Sequence, residues 1–275
     1  MLRPVVLLTP EAEFSSPPMD LSRNEHLKIQ AEDGVLLITL DRPPANAIDM
    51  KASRDLGDIL LAFREDPALH VVIFTGSGTR FFCPGWDLKC DYGEDRTKVN
   101  YGVGGFGGFQ ELPHLNKPVI FGINGICCGG GLEIALCGDI LVAADHATFS
   151  LPEVRIGTHA PAAYIALPKQ IPYHIAMEML LTGRWFDAQE AHRWGLVNHV
   201  VRPEALLAKC WEIARTIVAR SRGGYATVKE IVRESEDMKR QVALNRVKAR
   251  QFRSVAIEIA DYNKSKLIKE EAIDS

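Results

Sequence analysis

The segment "NGICCGGGLEIALCGD" places three consecutive glycines, Gly129–Gly131, between an apolar strand and a short apolar helix. Such a junction leaves the first backbone N–H groups of the helix without partners, where they attract a negative charge or a polarised oxygen. Glycine has no side chain to block that approach. Glu133 follows in the first turn, where the helix field favours its ionised form. The segment therefore predicts either an oxyanion site with a base beside it or a tight strand–helix contact with a solvated glutamate.

A second carboxylate lies in a similar apolar run, "TFSLPEVRIG". It is Glu153, which comes after a predicted strand and after Pro152, so we expect that no helix has yet begun there. Two carboxylates on strand-end loops can divide acid and base roles when their environments separate their pKa values. The alternative for Glu153 is a surface residue or an ion pair with Arg155.

One further stretch is a candidate for the same site, and a glycine-rich stretch is not. "FFCPGWDLK" follows the strand "HVVIFTGSG", so we expect it at the same sheet end as the glycines, and the stretch after Gly85 can supply a second N–H. The alternative is a plain turn in which Trp86 packs. "GVGGFG", Gly102–Gly107, formally fits a dinucleotide-binding motif, but it does not follow a strand. We interpret it as a loop near a pocket.

Predicted strands alternate with helices along the chain, which favours an α/β fold with parallel pairing. A helix capped by Asp49 and a second one that begins at Asp187 in a capping box are typical of such a chain. From about Asp187 the sequence becomes helical. We predict an N-terminal arm over 1–24, a core over 25–201, and a helical oligomerisation region over 202–275.

Composition limits the classes of function. The 275 residues carry a formal charge of -3, so the basic surface typical of nucleic-acid binding is not expected. The six cysteines form no CxxC motif, and the eight histidines show no metal-ligand spacing, so we expect free thiols and no metal. The apolar start is too short for a signal peptide, and no run reaches the ~20 apolar residues that span a membrane. These features predict a cytoplasmic location and no membrane partner.

Taken together and in order, four segments resemble the crotonase family, the enoyl-CoA hydratase/isomerase superfamily. They are "ITLDRPPANAID", "VVIFTGSGTRFFCPGWDLK", "LNKPVIFGINGICCGGGLEIALCGDILVAADHATFSLPEVRIG" and "MEMLLTGRWFDAQEAHRWGLVNHVV". The resemblance covers the chain from about Glu25 to Val201. Within the family, "PANAID" and "GWDLK", followed by "GGFGGF", look most like the carnitinyl-CoA (crotonobetainyl-CoA) dehydratases.

The resemblance implies a spiral of strand–strand–helix repeats with a C-terminal helical region that builds trimers, often paired into hexamers. It implies an acyl-CoA substrate and no cofactor. By motif position, the N–H groups of Trp86 and Gly130 would form the oxyanion hole. Glu133 would activate water, and Glu153 would donate a proton to Cα. The coenzyme A path would be lined by Ala45, Ala47, Trp86, Asp87, Leu88, Lys89 and Gly130, with Lys89 near the phosphates.

The stretch "THAPAAYIALPKQIP" departs from the family pattern, because a glycine pair is missing and Ala166 stands near the position of an arginine. We expect this departure to affect acyl specificity and turnover, but not Glu133, Glu153 or Gly130 themselves. Reversible hydration of an enoyl-CoA is the predicted reaction. The alternatives are isomerisation, thioester hydrolysis or retro-Claisen cleavage on the same scaffold, and a non-catalytic acyl-CoA-binding subunit.

Overall fold

The computed structural model describes residues 25–90, 99–221 and 224–249. The strands are β1 Leu27–Glu32, β2 Val35–Leu40, β3 Val71–Gly76, β4 Phe81–Cys83, β5 Val119–Ile123, β6 Ile126–Cys128, β7 Ile140–Ala144, β8 Thr148–Ser150, β9 Phe186–Asp187 and β10 His199–Val201. The helices are α1 Met50–Glu65, α2 Gly130–Ala135, α3 Glu153–Ile156, α4 Pro161–Gln170, α5 Tyr173–Thr182, α6 Ala188–Arg193, α7 Leu206–Ser221, α8 Gly224–Ser235 and α9 Arg240–Ala249.

The strands form two sheets. The larger has the order β1-β2-β3-β5-β7-β10, and the smaller has the order β4-β6-β8-β9. Pairing is parallel except at β1–β2 and β8–β9. The pairs β3–β4, β5–β6 and β7–β8 each place one strand in the larger sheet and the next in the smaller. This repeated unit confirms the predicted α/β fold of strand–strand–helix repeats.

The central strands of the larger sheet are apolar on both faces. In β3, Val72 and Phe74 contribute to the main core, whereas Val71 and Ile73 pack with α7 on the opposite face. Successive side chains of a strand point to opposite faces, so a sheet covered on both sides requires continuous apolar runs. The sequence "VVIFTG" of β3 meets that requirement.

Two helix starts follow the sequence prediction. Asp49 caps α1 by accepting a hydrogen bond from the Ala52 N–H at 2.7 Å, and Asp187 caps α6 through the Glu190 N–H at 2.7 Å. The apolar stretch "ILVAADHATFS" has the composition of a single strand, but it does not form one. A turn at Asp145–His146 divides it into β7 and β8, which belong to different sheets.

Helix α7 packs its apolar face, including Leu206, Cys210 and Ala214, against the larger sheet. A compact unit of the chain extends to Lys229, and a second unit begins at Glu230, with the end of α8 and α9 as its described part. The predicted arm over 1–24 lies outside the described residues, as does the chain end after residue 249. The boundary at residue 201 and the oligomerisation role of 202–275 stay predictions.

Within the described ranges, none of the helices combines the length and the hydropathy that a membrane crossing requires. The same residues contain no group of three or more His, Cys, Asp or Glu side chains arranged to hold a metal ion.

Candidate active site

The three glycines form the junction between β6 and α2. Gly129 has φ +53°, and its N–H donates to the Ser150 carbonyl at 2.9 Å. Its carbonyl accepts the N–H groups of Leu132 and Glu133 at 2.9 and 3.0 Å, which closes the first turn of α2. Gly130 is the first helical residue, and no acceptor for its N–H lies among the described residues. The junction therefore offers one backbone donor at the start of α2.

Crowding explains why this junction consists of glycine. A Cβ atom on Gly129 would lie 2.7 Å from Oε1 of Glu153, and one on Gly130 would lie 2.5 Å from the Phe106 ring. Either distance is far below a van der Waals contact. The glycines therefore bring the backbone of α2 directly against one carboxylate and one aromatic ring.

The segment after β4 runs past the same helix start. Gly85 has φ +96°, and a Cβ atom there would lie 2.7 Å from the Gly130 nitrogen. Ile48 donates its N–H to the Gly85 carbonyl at 2.8 Å and accepts the Asp87 N–H at 2.9 Å. In a parallel bridge of this kind, the residue between the two bonds points its own N–H to the other side. That residue is Trp86.

Glu133 lies on α2 with 8% of its surface exposed. Its Oε1 accepts the N–H groups of Ala162 and Ala163 at 2.9 and 3.2 Å, in the first turn of α4. Burial raises the pKa of Glu133, these N–H groups lower it, and the charge of Glu153 raises it further. The Gln110 side chain also lowers this pKa, although its Nε2 does not reach full hydrogen-bond geometry.

Two expectations about Glu133 are therefore wrong. The net direction of its pKa is upward, because burial outweighs the helix field that was expected to favour the ionised form. The departing stretch "THAPAAYIALPKQIP" also does contact Glu133, because it forms the start of α4 and supplies both backbone donors.

Glu153 is 7% exposed, and burial raises its pKa above the ordinary value. Its Oε2 is buried and has no hydrogen-bond partner among the described residues. Glu153 is the first residue of α3, with Pro152 at the N-cap, so the expectation of a loop position is wrong. Proline tolerates this position because the first N–H groups of a helix have no partner within it.

The structure thus brings together Gly130, Glu153 and the Gly85–Trp86 segment, with Glu133 on the same short helix as Gly130. The predicted loop "GVGGFG" also reaches this place through Phe106, whose ring packs against Gly130 and, edge-on, against Tyr101.

The residues predicted to line the coenzyme A path lie beside this cluster. Ala45 and Ala47 are half-buried in the loop between β2 and α1, whereas Leu88 and Lys89 are exposed after Trp86. Asp87 accepts hydrogen bonds from the Lys89 N–H at 3.0 Å and from Arg42 at 2.6 Å. The contact of these residues with coenzyme A stays a prediction.

Sequence reasoning missed several residues of this cluster: Gln110, Phe106, Ala162 and Ala163. Phe106 lies within "GVGGFG", a motif in which the glycines, and not the ring, suggest a function. Alanine backbone donors carry no signal in the side-chain pattern. Gln110 follows the glycine-rich loop, and nothing in its neighbours distinguishes it from a surface residue.

Comparison with known proteins identifies the family of the chain. The model of the family described as enoyl-CoA hydratase/isomerase matches residues 30–265. The chain is 45% identical over 216 residues to the carnitinyl-CoA dehydratase of Salmonella arizonae, covering 78% of this chain and 83% of that protein.

Among solved structures, the enoyl-CoA hydratase of Bacillus anthracis is similar with a TM-score of 0.76 and 32% identity, covering 82% of this chain and 88% of that one. A carnitinyl-CoA dehydratase from Mycobacterium avium gives a TM-score of 0.69 and 34% identity, with 75% and 82% covered. The sequence resemblance is confirmed, and the chain belongs to the enoyl-CoA hydratase/isomerase family.

Proposed function

We propose that this protein is an acyl-CoA hydratase/dehydratase, a lyase that reversibly adds water to the double bond of an enoyl-CoA thioester. Membership of the enoyl-CoA hydratase/isomerase family supports the reaction class. The observation that carries the proposal is the presence of two buried carboxylates with raised pKa values around one glycine helix start.

The thioester oxygen develops negative charge when water attacks the β-carbon. The backbone N–H groups of Gly130 and Trp86 stabilise that charge as the oxyanion hole. Support comes from the Gly130 N–H at the start of α2 and from the ladder that turns the Trp86 N–H away from Ile48. Loss of one such donor typically raises the barrier by ~3 kcal/mol.

Glu133 accepts a proton from water while the water oxygen bonds to the β-carbon. The electron pair of the double bond moves toward the thioester oxygen, and Glu153 then delivers a proton to the α-carbon. Dehydration reverses both roles. After each turnover Glu133 holds a proton and Glu153 is ionised, so solvent must exchange one proton between them. No redox cofactor or metal takes part.

The proposed division of acid and base roles requires that Glu133 and Glu153 together carry one proton. Burial raises both pKa values, and the charge of Glu153 raises that of Glu133, so double ionisation is disfavoured. With one proton on the pair, Glu133 is ionised and Glu153 is protonated, which is the form that hydrates an enoyl-CoA.

We propose that coenzyme A lies along Ala45, Ala47 and the Trp86–Lys89 segment, with exposed Lys89 near the phosphates. The relatives named carnitinyl-CoA dehydratases direct attention to 3-hydroxyacyl-CoA substrates with a trimethylammonium group. The aromatic pair Tyr101 and Phe106 beside Gly130 supports this choice, because aromatic faces attract such cations.

The protein is proposed to be a cytoplasmic homotrimer or homohexamer. All six cysteines are free, which suits a reducing compartment. Several large apolar side chains of 154–185 are exposed in the single chain, which supports burial against another copy: Val154, Ile156, Ile165, Tyr173, Leu181 and Trp185. Light scattering at micromolar concentration is expected to give three or six times the mass of the chain, and a monomer would refute this assembly.

The decisive test of function is a panel of enoyl- and 3-hydroxyacyl-CoA thioesters, including trimethylammonium ones, followed by mass spectrometry. Gain or loss of one water is the expected result. Release of a free acid would instead identify a hydrolase, and a shifted double bond without a mass change would identify an isomerase. Binding without any product would identify a non-catalytic acyl-CoA-binding subunit.

A further inference from the structure

Arg42, which follows β2, connects two separate segments of the candidate site. Its Nη1 donates to Oδ2 of Asp87 at 2.6 Å and to the Ala47 carbonyl at 3.0 Å. Its Nη2 donates to Oδ2 of Asp49 at 2.9 Å. The Arg42 side chain is 17% exposed. The planar guanidinium group suits this role because it presents several donors in a fixed fork.

Each of the two carboxylates uses its second oxygen for the backbone nearby. Oδ1 of Asp49 caps α1 through the Ala52 N–H at 2.7 Å. Oδ1 of Asp87 accepts the Lys89 N–H at 3.0 Å. Arg42 therefore joins the start of α1, the Ala47 peptide and the turn after Trp86 into one hydrogen-bonded unit.

Trp86 lies at the centre of this unit. Two backbone hydrogen bonds join the Trp86 segment to Ile48, one before and one after Trp86. A ladder this short has little stability of its own. Arg42 adds a bond on each side of it, to the Ala47 peptide before Ile48 and to the Asp87 side chain after Trp86.

The charges of this unit also depend on Arg42. Burial raises the pKa of Asp87, but the hydrogen bonds from Arg42 and from the Lys89 N–H bring it below the ordinary value. The side chains of Asp49 and Asp87 are 17% and 16% exposed. Without the guanidinium, two poorly solvated carboxylates would repel each other and separate the segments.

We infer that Arg42 is a positioning residue for the proposed reaction. It keeps the Trp86 N–H directed toward the thioester oxygen and keeps the Ala45–Ala47 loop along the coenzyme A path. Arg42 acts through Asp87 and the Ala47 peptide. The inference rests on the proposed function, so its test begins with a wild-type protein that hydrates an enoyl-CoA.

The first variant is Arg42→Lys, which keeps the charge but cannot span both carboxylates. We expect kcat/KM to fall about 10- to 100-fold, at or below the loss for one oxyanion donor, with kcat reduced and KM raised. The matched control is Arg184→Lys. Arg184 also joins two carboxylates, Glu178 at 3.0 Å and Glu190 at 2.8 Å, outside the proposed site.

A spectroscopic measurement separates positioning from loss of stability. The infrared stretch of the thioester carbonyl is recorded for a saturated acyl-CoA bound to each variant. Two well-directed N–H donors lower its frequency, so Arg42→Lys should move the band back toward its value in water. Arg184→Lys should leave the band where the wild type has it, at a temperature where both variants are folded.

A second set of variants keeps the inference testable if Arg42→Lys folds poorly. In the pair Arg42→Gln with Asp87→Asn, the loss of one carboxylate charge should restore Tm relative to Arg42→Gln alone, whereas kcat should stay low. Recovery of kcat together with Tm would show that Arg42 only stabilises the fold. A wild-type band position and a kcat within about twofold of wild type in folded Arg42→Lys would also overturn the inference. If the wild type neither shifts the band nor hydrates any thioester, the proposed function itself has failed.

Discussion

Glu133 and Glu153 are buried to the same extent, yet their hydrogen bonds differ. Oε1 of Glu133 accepts two backbone N–H groups from the first turn of α4. Glu153 stands at the first position of α3, and its buried Oε2 has no partner among the described residues. One carboxylate is therefore held by another helix, whereas the other presents an oxygen that is available for a substrate or water.

The difference bears on the proposed roles. N–H donors stabilise the ionised form of a carboxylate, which suits a base that must accept a proton. A buried oxygen without a donor favours the protonated form, which suits an acid that must deliver a proton. The hydrogen bonds therefore support the assignment of Glu133 as base and Glu153 as acid in the direction of hydration.

The largest effect is expected from removing either carboxyl group. Glu133→Gln and Glu153→Gln should each lower hydration by about 100- to 10,000-fold, because each removes one step of acid–base help. The double variant should lose far less than the product of the two single losses, because the residues act as one unit. Steady-state rates with an enoyl-CoA measure all three values.

Exchange of the α-proton in deuterium oxide then separates the two roles. Glu153→Gln should suppress exchange on a bound acyl-CoA more strongly than Glu133→Gln. Glu204→Gln is the control, because Glu204 is 67% exposed and, within the part of the chain that the structure describes, forms an ion pair with Arg202. If Glu153→Gln hydrates at the normal rate while Glu133→Gln is inactive, the paired mechanism is contradicted and a single-base isomerisation is favoured.

A smaller effect is expected from the helix that holds Glu133. Ala162→Pro removes one N–H donor in the first turn of α4, so the pKa of Glu133 should rise further. Ionised Glu133 is the active form for hydration, so the acid limb of the rate–pH profile should move to higher pH. On that limb the rate should fall about 10-fold, the typical effect of a hydrogen bond to a charged group.

Ala162→Gly is the matched control, because glycine keeps the N–H while it also changes the side chain. Its acid limb should stay within error of the wild-type limb. A profile that is the same for Ala162→Pro and the wild type would show that the start of α4 does not influence Glu133.

Much of this arrangement follows from the sequence because it depends on the backbone. Three glycines between a strand and a helix, and a proline before Glu153, predict close backbone packing with two carboxylates near it. The apolar runs of β3 and β5 predict central strands of a covered sheet. Asp49 and Asp187 identify helix starts because a capping side chain acts on residues two or three positions away.

The remainder depends on contacts between distant residues. The donors to Glu133 lie 29 and 30 residues further along the chain and belong to alanine, whose side chain gives no indication of such a bond. Arg42 and Asp87 are 45 residues apart, and neither stands out from other charged residues in the sequence. The balance of burial against helix field at Glu133 likewise depends on the packed core, so its direction was wrongly predicted.

The smallest effect concerns stability. The pKa of Glu153 is raised in the folded protein, so the ionised form is less favourable there than in the unfolded chain. Below the pKa of ~4.3 that Glu153 has in the unfolded chain, its carboxyl group does not lower the stability of the fold. Stability falls as the pH rises from that value toward the pKa of Glu153 in the folded protein. Glu153→Gln has no such loss and should therefore be more stable than the wild type at pH 7.

For Glu153→Gln we expect the free energy of unfolding to rise by about 1 kcal/mol at pH 7, which is typical of replacing an unfavourable active-site residue. At pH 4 we expect almost no change. For a chain of this size the gain corresponds to a rise in Tm of about 2–4 °C. Glu133→Gln should gain less, because the N–H groups of Ala162 and Ala163 already compensate part of the burial of Glu133. Thermal unfolding of both variants and of Glu204→Gln at the two pH values measures the difference. Equal gains in unfolding free energy for Glu133→Gln and Glu153→Gln would show that the different hydrogen bonds do not distinguish the two carboxylates energetically. The assignment of base and acid would then depend on the exchange kinetics alone.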